Sequence, residues 1–113
     1  MYLSEIVVLE GHVSDMPISK RWSRFNWDRL DEVLDVYGVY ELADANDYTV
    51  YIGSGHLHER LQYWKGSGNP CIRQARKFRY EELLSDRRRR QRERALLKEF
   101  KKIHGTLPRC NRH

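Results

Sequence analysis

Apolar and polar positions alternate most clearly in two short runs, Tyr37-Gly38-Val39-Tyr40-Glu41-Leu42 and Tyr48-Thr49-Val50-Tyr51-Ile52-Gly53. Their β-branched and aromatic side chains predict strands, and the polar Ala43-Asp44-Ala45-Asn46-Asp47 segment between them predicts a tight connection, hence a hairpin. Gly53-Ser54-Gly55 ends the second run, and a helical period follows from His58, with Leu57, Leu61 and Trp64 on one side. Lys65 to Pro70 reads as a flexible loop. Lys77 to Leu84 fits either period; a third strand is the better reading, because a two-stranded hairpin alone is marginal in water. After Ser85 the period is helical. Asp86 to Lys102 is capped by Ser85 or Asp86 and closed by Gly105, with Arg89, Leu96, Phe100 and Ile103 along one face.

Upstream the pattern is weaker. Leu3 to Leu9 has the β-branched character of a short strand, Asp15-Met16-Pro17 interrupts it, and Trp22, Phe25 and Trp27 suit a flap over the core. A short helix follows, with Asp28 as its cap, Asp31 in the capping-box place, and Leu30, Val33 and Leu34 on one side. The elements add up to an α/β chain of the α+β kind: a small three-stranded antiparallel sheet flanked by helices. Residues 1–35 form an N-terminal extension packed on or beside the core, and residues 36–113 form the main domain.

Composition narrows the class. A chain of 113 residues with 40% hydrophobic and 33% charged positions is one globular unit, neither disordered nor collagenous. The longest apolar run, Ile6-Val7-Val8-Leu9, is far too short for a bilayer, and no secretory signal is evident at Met1, so a cytoplasmic protein without a membrane partner is expected. Two cysteines, Cys71 and Cys110, are too few for a disulfide framework and are expected to be thiols. Charge is more informative. Residues 1–64 hold 11 acids against five bases, whereas residues 65–113 hold five acids against 16 bases, giving formal charges of −6 and +11. Such polarisation favours a polyanionic partner through counterion release, although a solvated helix face would look similar.

Several side chains carry candidate chemistry. Tyr40 and Tyr51 lie on the two hairpin strands, where they can share a face, and Arg60 opens the next helix and can reach back toward that sheet with a guanidinium suited to phosphate. Taken alone, the tyrosines also suit plain packing and the arginine a plain surface. Glu99 sits beside the apolar stripe of the long helix, one turn from Leu96 and Ile103; it is a hard oxygen donor for Mg²⁺ or a partner for Arg92 or Lys102. His56, His58, Cys110 and His113 have ligand chemistry but not the spacing of a structural zinc site. Arg87, Arg88, Arg89 and Arg90, followed by Arg94, Lys98 and Lys102, suit a phosphate-contacting helix face.

The string Gly38-Val39-Tyr40, then Tyr51-Ile52-Gly53, Glu59-Arg60-Leu61, Glu93 to Phe100 and Leu107-Pro108-Arg109-Cys110-Asn111 resembles the GIY-YIG nuclease family over roughly Tyr37 to Asn111. The ending and the Glu99-to-Asn111 interval resemble the nuclease domain of the excision-repair incision subunit, which implies DNA repair among other DNA-processing roles. Trp64 stands where several relatives have histidine. The resemblance implies a metal-dependent DNA endonuclease, a phosphodiester hydrolase cutting one strand at a time by in-line attack of water. It implies Mg²⁺, with Mn²⁺ able to substitute, held by Glu99. Tyr40 takes the water's proton, Tyr51 orients it, Arg60 neutralises the phosphorus centre and Asn111 positions phosphate or the Glu99 network. The hairpin tyrosines, Arg60 and Glu99 are expected around one cleft, with Gly38 and Gly53 allowing close backbone approach. DNA is the implied partner, together with a targeting protein or self-association. The alternatives are a non-catalytic nucleic-acid-binding module and the nuclease subunit of a partner-dependent complex.

Overall fold

The computed structural model describes residues 17–112. The strand expected over Leu3 to Leu9 lies outside them, as does His113. Four strands form one antiparallel sheet: β1 (Ser23–Arg24), β2 (Tyr37–Ala43), β3 (Thr49–His56) and β4 (Lys77–Glu82), in the order β1-β4-β2-β3. Among the described residues three helices accompany it, α1 (Trp27–Leu30), α2 (Leu57–Gly66) and α3 (Asp86–His104), with short 3-10 turns at Ile72–Gln74 and Arg109–Asn111. The sheet therefore has one strand more than expected. The extra strand is two residues long, pairing Ser23 with Phe78 and Arg24 with Lys77; so brief a strand leaves no alternation to read.

The hairpin places Tyr40 opposite Gly53 and Leu42 opposite Tyr51, with a register shift between Leu42 and Ala43. Because side chains alternate across a strand, Gly38, Tyr40, Leu42, Tyr51, Gly53, Phe78 and Tyr80 share one face, while Val39, Glu41, Ile52, Ser54, Arg79 and Glu81 share the other. Each face has its own core. Leu57 and Leu61 of α2 cover the first with Phe25, Leu30, Val33, Tyr40, Leu42 and Phe78. Leu96 of α3 covers the second with Ile18, Val39 and Ile52. Ile18, Phe25, Leu30 and Val33 thus make residues from the N-terminal third part of both cores, while Trp27 and Leu34 stay exposed.

Local chemistry explains the boundaries. Ser85 accepts a hydrogen bond from the Arg88 amide at the start of α3, and Gly105, at φ 82°, closes its end. Helix α1 is capped by Asn26 rather than Asp28, because the Asn26 side chain accepts from the Arg29 amide and Asp28 lies already inside the helix. Cys71 and Cys110 are not thiols. They form a disulfide, with Cα atoms 5.7 Å apart, that joins the 3-10 turn before β4 to the C-terminal turn. Two cysteines 39 positions apart give no hint of this in sequence, since only folding brings the turns together. Among the described residues no helix is long and apolar enough to cross a membrane.

Candidate active site

Among the described residues β3 is an edge strand, so groups from both sheet faces can meet around its outer side. From the α2 face come the two tyrosines, with ring centroids 6.1 Å apart. Tyr40 is 1% exposed, and its Oη accepts a hydrogen bond from Trp64 Nε1 at 2.8 Å. Gly53 makes room for it: a Cβ there would lie 2.5 Å from the Tyr40 Oη and 2.7 Å from Tyr51 Cε2. Burial pushes the Tyr40 hydroxyl pKa up, as does its neighbour Tyr51; the Trp64 N–H and Arg60 oppose this more weakly. Tyr51 is less buried. Its pKa is raised by desolvation and then by Glu93, against the pull of Arg60 and a hydrogen bond from Tyr40.

Arg60 is held beside both tyrosines by aromatic faces, its guanidinium carbon 4.7 Å from the Tyr63 centroid and 5.5 Å from that of Trp64. Trp64 in turn packs 5.0 Å from Tyr51. The Trp64 indole is therefore a donor that fixes Tyr40 and a wall that fixes Tyr51 and Arg60.

From the α3 face comes a carboxylate, but it is Glu93. Its Oε1 accepts from Ser54 Oγ at 2.5 Å, the Ser54 hydroxyl accepts from Arg89 Nη1 at 2.9 Å, and Arg89 Nε donates to Asp86 at 2.8 Å. Glu99 does not join them. It lines a cavity of about 180 Å³ with Glu41, Ile52, Arg79 and Phe100, beneath the β4 side of α3, where Glu41 is bound to Arg79 at 2.7 Å. At ~100° per residue, Glu93 and Glu99 lie about 120° apart around the helix and flank the Leu96 stripe on opposite sides. Sequence reasoning singled out Glu99 although both glutamates border the stripe; the turn-by-turn offset from Arg92, which pairs with Glu81 on β4, separates them.

The remaining candidates divide cleanly. Asn111 Oδ1 accepts from the Ile52 amide and its Nδ2 donates to the Ile52 carbonyl, both at 2.9 Å, so this side chain extends the β3 edge like one more strand residue. Gly38 is packed so closely that a Cβ would lie 2.3 Å from the Glu81 carbonyl oxygen. Arg87, Arg88, Arg94, Lys98 and Lys102 are exposed on α3. Arg89 instead belongs to the Ser54 network and Arg90 pairs with Asp86 at 2.9 Å. Cys110 is unavailable as a metal ligand in its disulfide, and the ring of His58 bonds the Val33 carbonyl.

The fold and site define a small α+β domain with a tyrosine-arginine-carboxylate cluster at a sheet edge. The chain belongs to a family described as a domain of unknown function (DUF7508), which matches residues 16–102. No curated protein and no solved structure matches it.

Proposed function

We propose that this chain is a DNA endonuclease of the GIY-YIG kind that hydrolyses phosphodiester bonds one strand at a time. The observation that carries the reading is the convergence of Tyr40, Tyr51, Arg60 and Glu93 at the β3 edge, from four separate elements. Arg60, with a planar fork of donors, suits the charge that develops on phosphorus during in-line attack. Tyr51 is the hydroxyl we assign to the attacking water. It is the less buried of the pair, and it lies between Arg60, which favours its ionised form, and Glu93, which opposes it. Tyr40, enclosed and fixed by Trp64, positions Tyr51 rather than meeting water itself.

Glu93, not Glu99, is the carboxylate we assign to Mg²⁺ or Mn²⁺. One carboxylate is a sparse ligand set, and it suits an ion that keeps most of its waters and takes phosphate oxygens from the substrate. Among the described residues no group of three His, Cys, Asp or Glu side chains converges. When bound, the ion would supply positive charge to the departing 3′ oxygen. The exposed cations of α3 would hold the flanking DNA; the same cations also suit a binding module without turnover, the reading that takes over if no DNA is cut.

Incubation with flapped, branched, nicked and plain duplex DNA, in Mg²⁺ and in chelator, tests the activity. In single-turnover assays Glu93→Gln loses at least about a hundredfold in rate, within the usual range for a lost catalytic group, and Glu99→Gln stays near wild type. The reverse order would return the metal to Glu99. Absence of metal-supported cutting on every substrate would overturn the nuclease reading.

A further inference from the structure

On the α2 face, away from α3, a second concavity of about 270 Å³ opens between the end of α2 and the loop that follows it. Phe25 and Trp64 provide apolar lining, and Lys65, Arg73 and Arg76 provide three cations; among the described residues no acid lines it. None of the ion pairs among the described residues involves these three cations. The loop is nonetheless ordered around them. Asn69 Oδ1 accepts from the Cys71 and Ile72 amides, Arg76 Nη1 donates to the Arg73 and Ala75 carbonyls, and the disulfide anchors Cys71. Lys65 Nζ sits 5.2 Å over the Phe25 ring, so charge and aromatic surface meet at one point.

We infer that this concavity receives one unpaired nucleotide of a single-stranded segment, its base against the half-buried Trp64 above the Phe25 floor and its phosphates against Lys65, Arg73 and Arg76. Aromatic surface beside a cationic rim is what single-stranded nucleic acid rewards. A base paired within a duplex cannot enter a hollow of this kind, whereas an unstacked one can. Trp64 links the two sites, since its ring lines the concavity while its Nε1 donates to Tyr40 Oη. A strand seated here therefore passes the tyrosine cluster. The inference rests on the nuclease reading and deepens it, naming DNA with an unpaired flap as the preferred substrate.

Fluorescence anisotropy across a salt series tests it without any cleavage, using a flapped duplex, the same duplex with blunt ends, and a flapped duplex carrying an abasic residue in the flap. Wild type binds the flapped DNA about tenfold more tightly than the blunt DNA, and the abasic flap loses most of that margin. Lys65→Gln/Arg73→Gln, which spares the carbonyl bonds of Arg76, brings the flapped DNA down to the blunt value. It also lowers its salt slope by about 1.4, the release expected for two single-strand contacts. Its affinity for blunt duplex stays unchanged. Equal binding of flapped and blunt DNA by wild type, or equal losses on both in the variant, overturns the subsite while leaving the nuclease reading standing. Failure to bind any DNA removes both.

Discussion

Gly53 and Tyr40 occupy opposite positions in the hairpin, and the fit between them is tight enough to set both stability and chemistry. Gly53→Ala would drive a methyl against the Tyr40 Oη and the Tyr51 ring, at contacts that would start from 2.5 and 2.7 Å. Overpacking of this sort costs about 1–3 kcal/mol, and here relief requires moving the two hydroxyls. The expected outcome is a lower denaturation midpoint together with a loss of cleavage larger than the loss of DNA affinity; unchanged cleavage would mean that the tyrosine positions do not matter to the reaction. Tyr40 also gives the fold an alkaline limit. Its folded pKa is raised above the ordinary value near 10, so the folded protein keeps a proton that the unfolded chain releases. Stability from this source is fully present below about pH 10 and falls as pH rises further. Urea titrations at increasing pH should show the midpoint dropping in the alkaline range. The drop should be shallower in Tyr40→Phe, with Tyr51 and Tyr80, also raised, accounting for part of what is left.

At the scale of elements, α3 presents two faces with different duties. Its buried side carries Leu96 and the Arg92–Glu81 pair, at 2.8 and 3.0 Å, with Arg92 6% exposed. Removing Arg92 takes the bidentate partner from Glu81, which water still reaches, and Arg92→Ala should cost about 2 kcal/mol through lost charge-assisted hydrogen bonds, read as a shift in denaturation midpoint. The outer side carries Arg87, Arg88, Arg94, Lys98 and Lys102. Changing Arg87, Arg94, Lys98 and Lys102 together to glutamine should leave the fold intact, lower duplex affinity, and reduce the salt slope by up to about 3.6 if all four touch phosphate. A surface that is merely solvated predicts no change in slope. Most of this element was legible: the Ser85 cap, the Gly105 stop and the Leu96 stripe are all local signals. The hairpin was legible too, through its alternation. What was not legible depends on contacts between distant segments. The two-residue β1 exists because β4 offers it an edge, Asn26 wins the cap because of its backbone angle, and Glu93 acquires its place only when α3 lies across β3 beside Ser54. Arg87 to Arg90, Arg94, Lys98 and Lys102 were read as one set, yet Arg89 and Arg90 are held by Asp86 one turn before them, a spacing that the sequence does carry.

For the molecule as a whole, the C-terminal turn is held by two strong attachments. Cys110 is tied to Cys71, and the next residue, Asn111, completes the edge of β3 at Ile52. A crosslink spanning 39 positions stabilises a small domain by about 3–4 kcal/mol, chiefly by restricting the unfolded chain. Reduction should therefore lower the denaturation midpoint by a matching amount. The local consequence is more specific. Among the described residues no further strand protects the Ile52 amide, and its partner is the Asn111 side chain. If the disulfide holds that turn in place, reduction speeds hydrogen exchange at the Ile52 amide well beyond the change in global stability, toward the rate found in Asn111→Ala. Amides of β2, paired on both sides, follow only the global change. Because Tyr51 precedes Ile52 on the same edge, a loosened turn should also slow cleavage in reduced protein, and Asn111→Ala should slow it in oxidised protein by a similar factor. Exchange at Ile52 that does not respond to reduction would mean that Asn111 and the buried Pro108 hold the turn unaided, leaving the disulfide as a purely global brace.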